Sequence, residues 1–166
     1  MKLLLIRHAE AVDLGPDHAT DFDRPLTPHG VAQADALGAT LKRLGILPTV
    51  IATSPLVRAR QTADALAAVL MPGVEPFLTD RLGLGELRPK KLSQDLAGLL
   101  GDVTLAVGHM PDIATYAGWL LGASPDAIDF KKCCVAGLTV RGDDWKGTAR
   151  LDFLVPPSWF LPDSAG

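Results

Sequence analysis

The sequence predicts a layered α/β domain built on a largely parallel sheet. Three observations carry that expectation. Short apolar runs of strand length alternate with longer segments of helical period. The helical segments open on Thr-Pro or Ser-Pro and close on Gly. The first apolar run is continuous, as a strand buried on both faces requires. A length of 166 residues supplies one compact core and is tight for two, so a single domain over 1–166 is expected.

Lys2 to Ile6 is that first run, and it stops abruptly at Arg7-His8-Ala9-Glu10. The polar stretch from Asp13 to Arg24 reads as a loop. Thr27-Pro28 opens a helix, with Thr27 as N-cap and Pro28 at the first helical position. Val31, Ala34, Leu37, Leu41 and Leu44 form its apolar face, and Gly45 ends it. Val50-Ile51-Ala52-Thr53 is a second strand, after which Ser54-Pro55 repeats the cap-plus-proline start of a helix running to Leu70. Val74 to Leu78 is assigned to an edge strand and Lys90 to Leu100 to a shorter helix closed by Gly101. Val103 to Val107 is the clearest central strand; it ends at Gly108-His109-Met110-Pro111 before a helix to Leu121. Cys134 to Val140 and Ala149 to Val155 form a closing hairpin turned around Gly142-Asp143-Asp144. From about Pro156 a Pro-rich tail is expected to drape over the surface.

Composition narrows the function. Apolar residues at 48% and charged ones at 21% describe a globular chain. A formal charge of −3 offers no basic face for nucleic acid, so none is expected as partner. Cys133 and Cys134 are adjacent, poorly placed to bridge each other, and read as reduced buried thiols. The apolar start is too short for a signal peptide, and no run approaches the ~18–20 apolar residues of a membrane span. A cytoplasmic protein with no membrane partner is the expectation.

Ligands in parallel sheets sit beyond the C-terminal strand ends. Three such ends carry chemistry here: Arg7-His8, Ser54 leading to Arg58, and His109. Phosphoryl transfer needs an in-line nucleophile and cations on the equatorial oxygens. The planar fork of arginine suits those oxygens. Arg58, one turn into its helix, should lean back toward the helix start and reach the same point as Arg7. His8 is the nucleophile candidate, since two nearby guanidinium groups disfavour its protonated form and leave the imidazole free to attack. His109 offers a further donor, its charged form favoured once a phosphate dianion arrives. Each feature alone is an ordinary surface or cap residue; their coincidence at three strand ends favours function.

Leu5-Ile6-Arg7-His8-Ala9-Glu10, Arg24-Pro25-Leu26-Thr27-Pro28-His29-Gly30, Ser54-Pro55-Leu56-Val57-Arg58-Ala59-Arg60-Gln61-Thr62 and Val107-Gly108-His109-Met110-Pro111 together resemble the histidine phosphatase superfamily, related to phosphoglycerate mutase. The short form most resembles the SixA-like phosphohistidine phosphatases. The ordered match covers roughly residues 2 to 121. The resemblance implies a three-layer α/β/α sandwich with a mixed, mainly parallel central sheet. It also implies a phosphate pocket of Arg7, His8, Arg58 and His109, with His8 phosphorylated in turnover and no cofactor or metal. Ala9 stands where the wider family usually has Gly, a mark of the SixA-like subgroup that matters only if that backbone needs a positive φ.

An alkyl phosphate needs a protonated carboxyl to help its leaving group depart. Glu86 is the candidate by order along the chain; Asp21 and Asp23, just before Arg24, are alternatives. A phosphohistidine leaving group, with a conjugate-acid pKa near ~6.5, relaxes that demand. The leading expectation is therefore a phosphatase acting on a phosphohistidine-bearing protein domain. A small phosphorylated metabolite is the second substrate class, and a non-catalytic phosphate-binding module is a reading of another kind. Of the other histidines, His18 lies in the polar loop and His29 in a helix's first turn; neither has metal-ligand spacing. Met110, Tyr116 and Trp119 read as packing, while Trp145 and Trp159 are unassigned.

Overall fold

A computed structural model of the chain describes residues 1–15, 20–99 and 101–161. Ten principal elements follow in order: β1 (Lys2–Arg7), α1 (Pro28–Arg43), β2 (Val50–Thr53), α2 (Val57–Leu70), β3 (Phe77–Leu78), α3 (Pro89–Gly98), β4 (Val103–Gly108), α4 (Asp112–Leu121), β5 (Val135–Thr139) and β6 (Arg150–Val155). They build one six-stranded sheet in the order β3-β2-β4-β1-β5-β6. The first four strands in that order run parallel; β5 lies antiparallel to β1, and β6 antiparallel to β5.

The period-two alternation of β1 explains the layers. Leu3 and Leu5 point into a core with Leu92, Leu96, Ile113, Tyr116, Leu120 and Phe130, beneath α3 and α4. Leu4 and Ile6 point the other way, into a core with Leu37, Leu41, Leu66 and Val107, beneath α1 and α2. A strand flanked on both faces must be apolar throughout, which is why β1 reads as an uninterrupted run. The result is the expected α/β/α sandwich with a mixed, mainly parallel sheet.

Local signals hold where the chemistry is local. Thr27 caps α1, its hydroxyl accepting the Gly30 N–H at 2.9 Å, and Gly45 takes the left-handed conformation just past the helix, at φ +69°. Other expectations are corrected. Val31 and Leu44 are 46% and 64% exposed; the stripe on α1 runs past the width that the sheet covers. Ser54 does not cap α2, which starts at Val57. Its hydroxyl accepts the Leu56 N–H at 3.2 Å in a turn outside the helix. The edge strand shrinks to Phe77–Leu78, and α3 begins one residue early at Pro89. In the tail, Pro157–Trp159 makes a single 3-10 turn. Between that turn, α1 and β6 lies an apolar cavity of about 400 Å³, remote in chemistry from the strand ends.

Candidate active site

The C-terminal end of β1 is clamped from three sides. The His8 N–H donates to Gly108 O on β4 at 3.0 Å, and the Arg7 N–H donates to Cys134 O at 3.2 Å. The Cys133 N–H is shared between Arg7 O and His8 O, at 3.1 Å each. Cys133 holds φ +60° to make that contact, a conformation costly for a residue with a Cβ and kept only where neighbours enforce it. The Ala9 N–H donates to Thr62 Oγ1 at 3.1 Å, and that hydroxyl donates in turn to Arg58 O at 2.7 Å. Ala9 does not take a positive φ, so its Cβ is tolerated there. Gly30 explains the glycine of its motif: a Cβ there would sit 1.9 Å from Glu10 O.

This scaffold fixes the His8 ring. Nδ1 lies 2.7 Å from Ala9 O. A carbonyl only accepts, so Nδ1 carries the proton and Nε2 presents its lone pair. Arg58, only 2% exposed, donates its Nε–H to that lone pair at 3.2 Å. The His109 ring centroid lies 5.0 Å from that of His8, with His109 Nε2 paired to Ser54 Oγ at 2.8 Å. Arg7 donates from Nη1 to Phe130 O at 2.8 Å. Two buried nitrogens, Arg7 Nε and His109 Nδ1, have no hydrogen-bond partner among the described residues. Unpaired buried polar atoms are rare enough to need a cause, and both belong to side chains that line one cavity.

Arg7, His8, Arg58 and His109 all line one cavity of about 250 Å³. The structure therefore brings together the four residues drawn from three strand ends. Its electrostatics keep both imidazoles neutral. Burial, opposed by the Ala9 hydrogen bond and aided by Arg58, Arg7 and Arg24, lowers the His8 pKa to about 4. Burial, then the neighbouring His8 and Arg58, lowers that of His109 to about 3. The Cys133 thiol is pushed up to about 12, chiefly by burial, so it is no competing nucleophile.

The acid candidates fare differently. Asp21 does line the cavity, but as a counter-ion. Its Oδ2 accepts from Arg58 Nη2 at 2.8 Å, its Oδ1 from Arg24 Nε at 2.9 Å, and its main-chain O from Arg58 Nη1 at 2.6 Å. Partial burial pushes its pKa upward, yet the hydrogen bonds from Arg24 and Arg58 outweigh that and hold it below the ordinary carboxylate value. A carboxyl so held is ionised at neutral pH and has no proton to give. Glu86 lies in a separate groove beside the cavity, with Phe22 and Leu56, and is not among the residues around His8. Asp23 is turned toward Thr20. His18 falls outside the described residues, and the exposed His29 pairs with the buried Gln33 one turn on in α1. Tyr116, Trp119 and Trp145 pack in the core beneath α3 and α4, and Met110 packs against the same core while also lining the cavity.

Sequence reasoning missed Arg24, Asp13 and Lys132, which also line the cavity. Arg24 was inside a quoted motif and carried its signal in the Arg-Pro-Leu-Thr order. Lys132 carried none, because only the strained Cys133 turn brings it over the strand end.

Comparison with known proteins places the family and the fold. The model of the histidine phosphatase superfamily (branch 1) matches residues 3–83. An uncharacterized protein of Picosynechococcus sp. is 34% identical over 98% of this chain and 100% of its own length. The chain belongs to the histidine phosphatase superfamily. Within it, the fold is that of SixA. The structure of the protein histidine phosphatase SixA complexed with tungstate superposes with a TM-score of 0.81 at 23% identity, over 95% of this chain and 97% of that one. A candidate phosphohistidine phosphatase SixA from Nakamurella multipartitia gives 0.75 at 28% identity, over 95% and 96%. The residues matched by the family include Arg7, His8 and Arg58, while His109 lies beyond them.

Proposed function

We propose that this chain is a phosphohistidine phosphatase that works without a metal through a phosphoenzyme on His8, acting on a phosphorylated protein domain. The observation that carries the proposal is the His8 tautomer: Nδ1–H is tied to Ala9 O, and Nε2 faces the cation-lined cavity with its lone pair directed at Arg58. On substrate entry, phosphoryl oxygens draw the Arg58 N–H groups off Nε2 and off Asp21. Arg7 Nε and His109 Nδ1 supply further polar contacts to the oxygens, His109 gaining a proton as the dianion settles. The freed lone pair attacks phosphorus in line, the bond from phosphorus to the leaving nitrogen breaks, and that nitrogen takes up a proton. Water then attacks phospho-His8, and inorganic phosphate leaves with the imidazole regenerated.

The ionised state of Asp21, the carboxyl that meets Arg58, supports phosphohistidine over an alkyl phosphate. An imidazole leaving group, with a conjugate acid near ~6.5, departs without the help an alkoxide needs. Among the described residues no three His, Cys, Asp or Glu side chains gather as a cation site.

The test is a comparison of rates on a phosphohistidine protein and on para-nitrophenyl phosphate, with His8→Ala alongside. Faster turnover of phosphohistidine, and loss of all turnover in His8→Ala with vanadate still bound, is expected. Equal efficiency on both substrates would favour a small-molecule monoesterase. Anion binding by the native chain without any phosphoenzyme would leave a non-catalytic module.

A further inference from the structure

A second groove adjoins the catalytic cavity, and nothing in the proposed chemistry uses it. It holds about 360 Å³ and is walled by Phe22, Pro55, Leu56 and Leu84, with Asp80 and Glu86 as its charged members. Leu84 belongs to both hollows, so the groove runs on from the site. Phe22 and Leu84 are 48% and 44% exposed, an apolar pair left in solvent at the mouth of an otherwise polar cavity.

Both walls are held by backbone. Phe22 O accepts the Val57 N–H at 3.1 Å at the start of α2. The turn carrying Leu84 is closed by Gly83 N–H to Asp80 O at 2.7 Å and Glu86 N–H to Gly83 O at 3.2 Å. It is tied to α4 by Gly85 N–H to Asp112 Oδ2 at 2.6 Å. A surface fixed in this way loses little entropy on docking a partner. Neither Asp80 nor Glu86 has a salt-bridge partner among the described residues. The charged lining of the cavity beside them is Arg7, Arg24, Arg58 and Lys132 against Asp13 and Asp21, a balance that is still cationic. Charge therefore changes sign along one continuous surface, from cationic at His8 to acidic at Glu86.

We propose that this groove docks the polypeptide bearing the phosphoryl group, taking an apolar side chain near the phosphorylated residue against Phe22 and Leu84 and a basic side chain beyond it against Asp80 and Glu86. A compact metabolite whose phosphate sits at His8 would have neither the reach nor the charge for the acidic end. The inference rests on the phosphatase reading above and adds the character of its protein substrate.

Four phosphohistidine peptides test it, with Leu-Lys or Leu-Glu placed on the N-terminal or C-terminal side of the phosphorylated residue, and para-nitrophenyl phosphate as reference. In at least one direction the Lys peptide should show kcat/KM about fivefold above its Glu counterpart, the scale of exposed ion pairs. Glu86→Lys should reverse that preference, a reversal that a merely structural role would not give. Asp80→Asn and Glu86→Gln should narrow it while leaving para-nitrophenyl phosphate turnover unchanged. Equal use of Lys and Glu peptides in both directions, with the reference ester still hydrolysed, overturns the docking groove alone. Failure to hydrolyse either the ester or any peptide overturns the phosphatase reading beneath it.

Discussion

Asp21 competes with substrate for the cations that substrate needs, and Asp21→Asn measures that competition. In the free protein its carboxylate accepts from both Arg24 and Arg58. An arriving phosphoryl dianion needs the same Arg58 fork and meets a fixed negative charge beside it. Two unit charges 4 Å apart interact by about 4 kcal/mol at an effective dielectric constant near ~20. The Asp21 side chain is 37% exposed, and exposure screens such pairs heavily. A net relief of about 1.4 kcal/mol is the resulting expectation, a tenfold gain in affinity. Asparagine keeps the size of the side chain, and the bond from Arg58 Nη1 to the main-chain O of residue 21 is unaffected. Inorganic phosphate and vanadate should then inhibit para-nitrophenyl phosphate hydrolysis about tenfold more tightly, with the gain shrinking as NaCl rises. If Asp21 serves instead to hold Arg58 in register, kcat falls and anion affinity does not improve. That outcome would refute competition by charge.

Other consequences can be measured independently. Arg58→Lys keeps the charge but loses the fork, and should lower kcat/KM by roughly a hundredfold, the scale of losing one preorganised donor. Because the folded-state pKa of His8 is about 4 and that of His109 about 3, both below the unfolded value of ~6.5, protons bind preferentially to the unfolded chain as pH falls. Stability should therefore be full above about pH 6.5 and decline toward pH 3, and urea midpoints for His8→Asn should show a shallower decline. Gly30→Ala should lower the unfolding free energy from urea titration by about 2 kcal/mol or more, because its Cβ meets backbone and cannot be relieved by a rotamer change. EDTA should leave the initial rate unchanged, and strong inhibition by the chelator would contradict a metal-free reaction.

How much of this was legible in the chain depends on the distance over which each cause acts. Strand ends were legible because β1 and β4 stop where apolar runs meet Arg7-His8 and His109, a change within two residues. The start of α1 was legible because Thr27 and Gly30 interact three residues apart. The role of Asp21 was not, since it is set by Arg58, 37 residues away, and no local pattern distinguishes a counter-ion from a proton donor. Glu86 was misplaced for a related reason. Order along the chain put it after α2, but the Gly83–Glu86 turn, tied to Asp112, carries it into the neighbouring groove. Val31 and Leu44 show the limit of periodicity: a stripe tells which face is apolar, not how far the sheet beneath it extends.

The corrected placements of Asp21 and Glu86 bear on one chemical question, which leaving group this pocket can serve. A nucleophile that is neutral down to about pH 4 has little basicity with which to expel a poor leaving group, because its nucleophilic push weakens as its proton affinity falls. Such a site suits a phosphoryl group that is already activated. A P–N bond to an imidazole is activated in this sense, since the departing nitrogen is stable as soon as it is protonated near neutral pH. An alkyl ester would need a carboxylic acid to protonate its oxygen, yet the carboxyl at Arg58 is held ionised and Glu86 faces the groove. Burial is the main cause of the depressed basicity of His8, with the arginines around the strand end adding to it, and two of those arginines hold Asp21 ionised. Burial of His8 and the cations around it thus point to the same substrate class on the proposed mechanism.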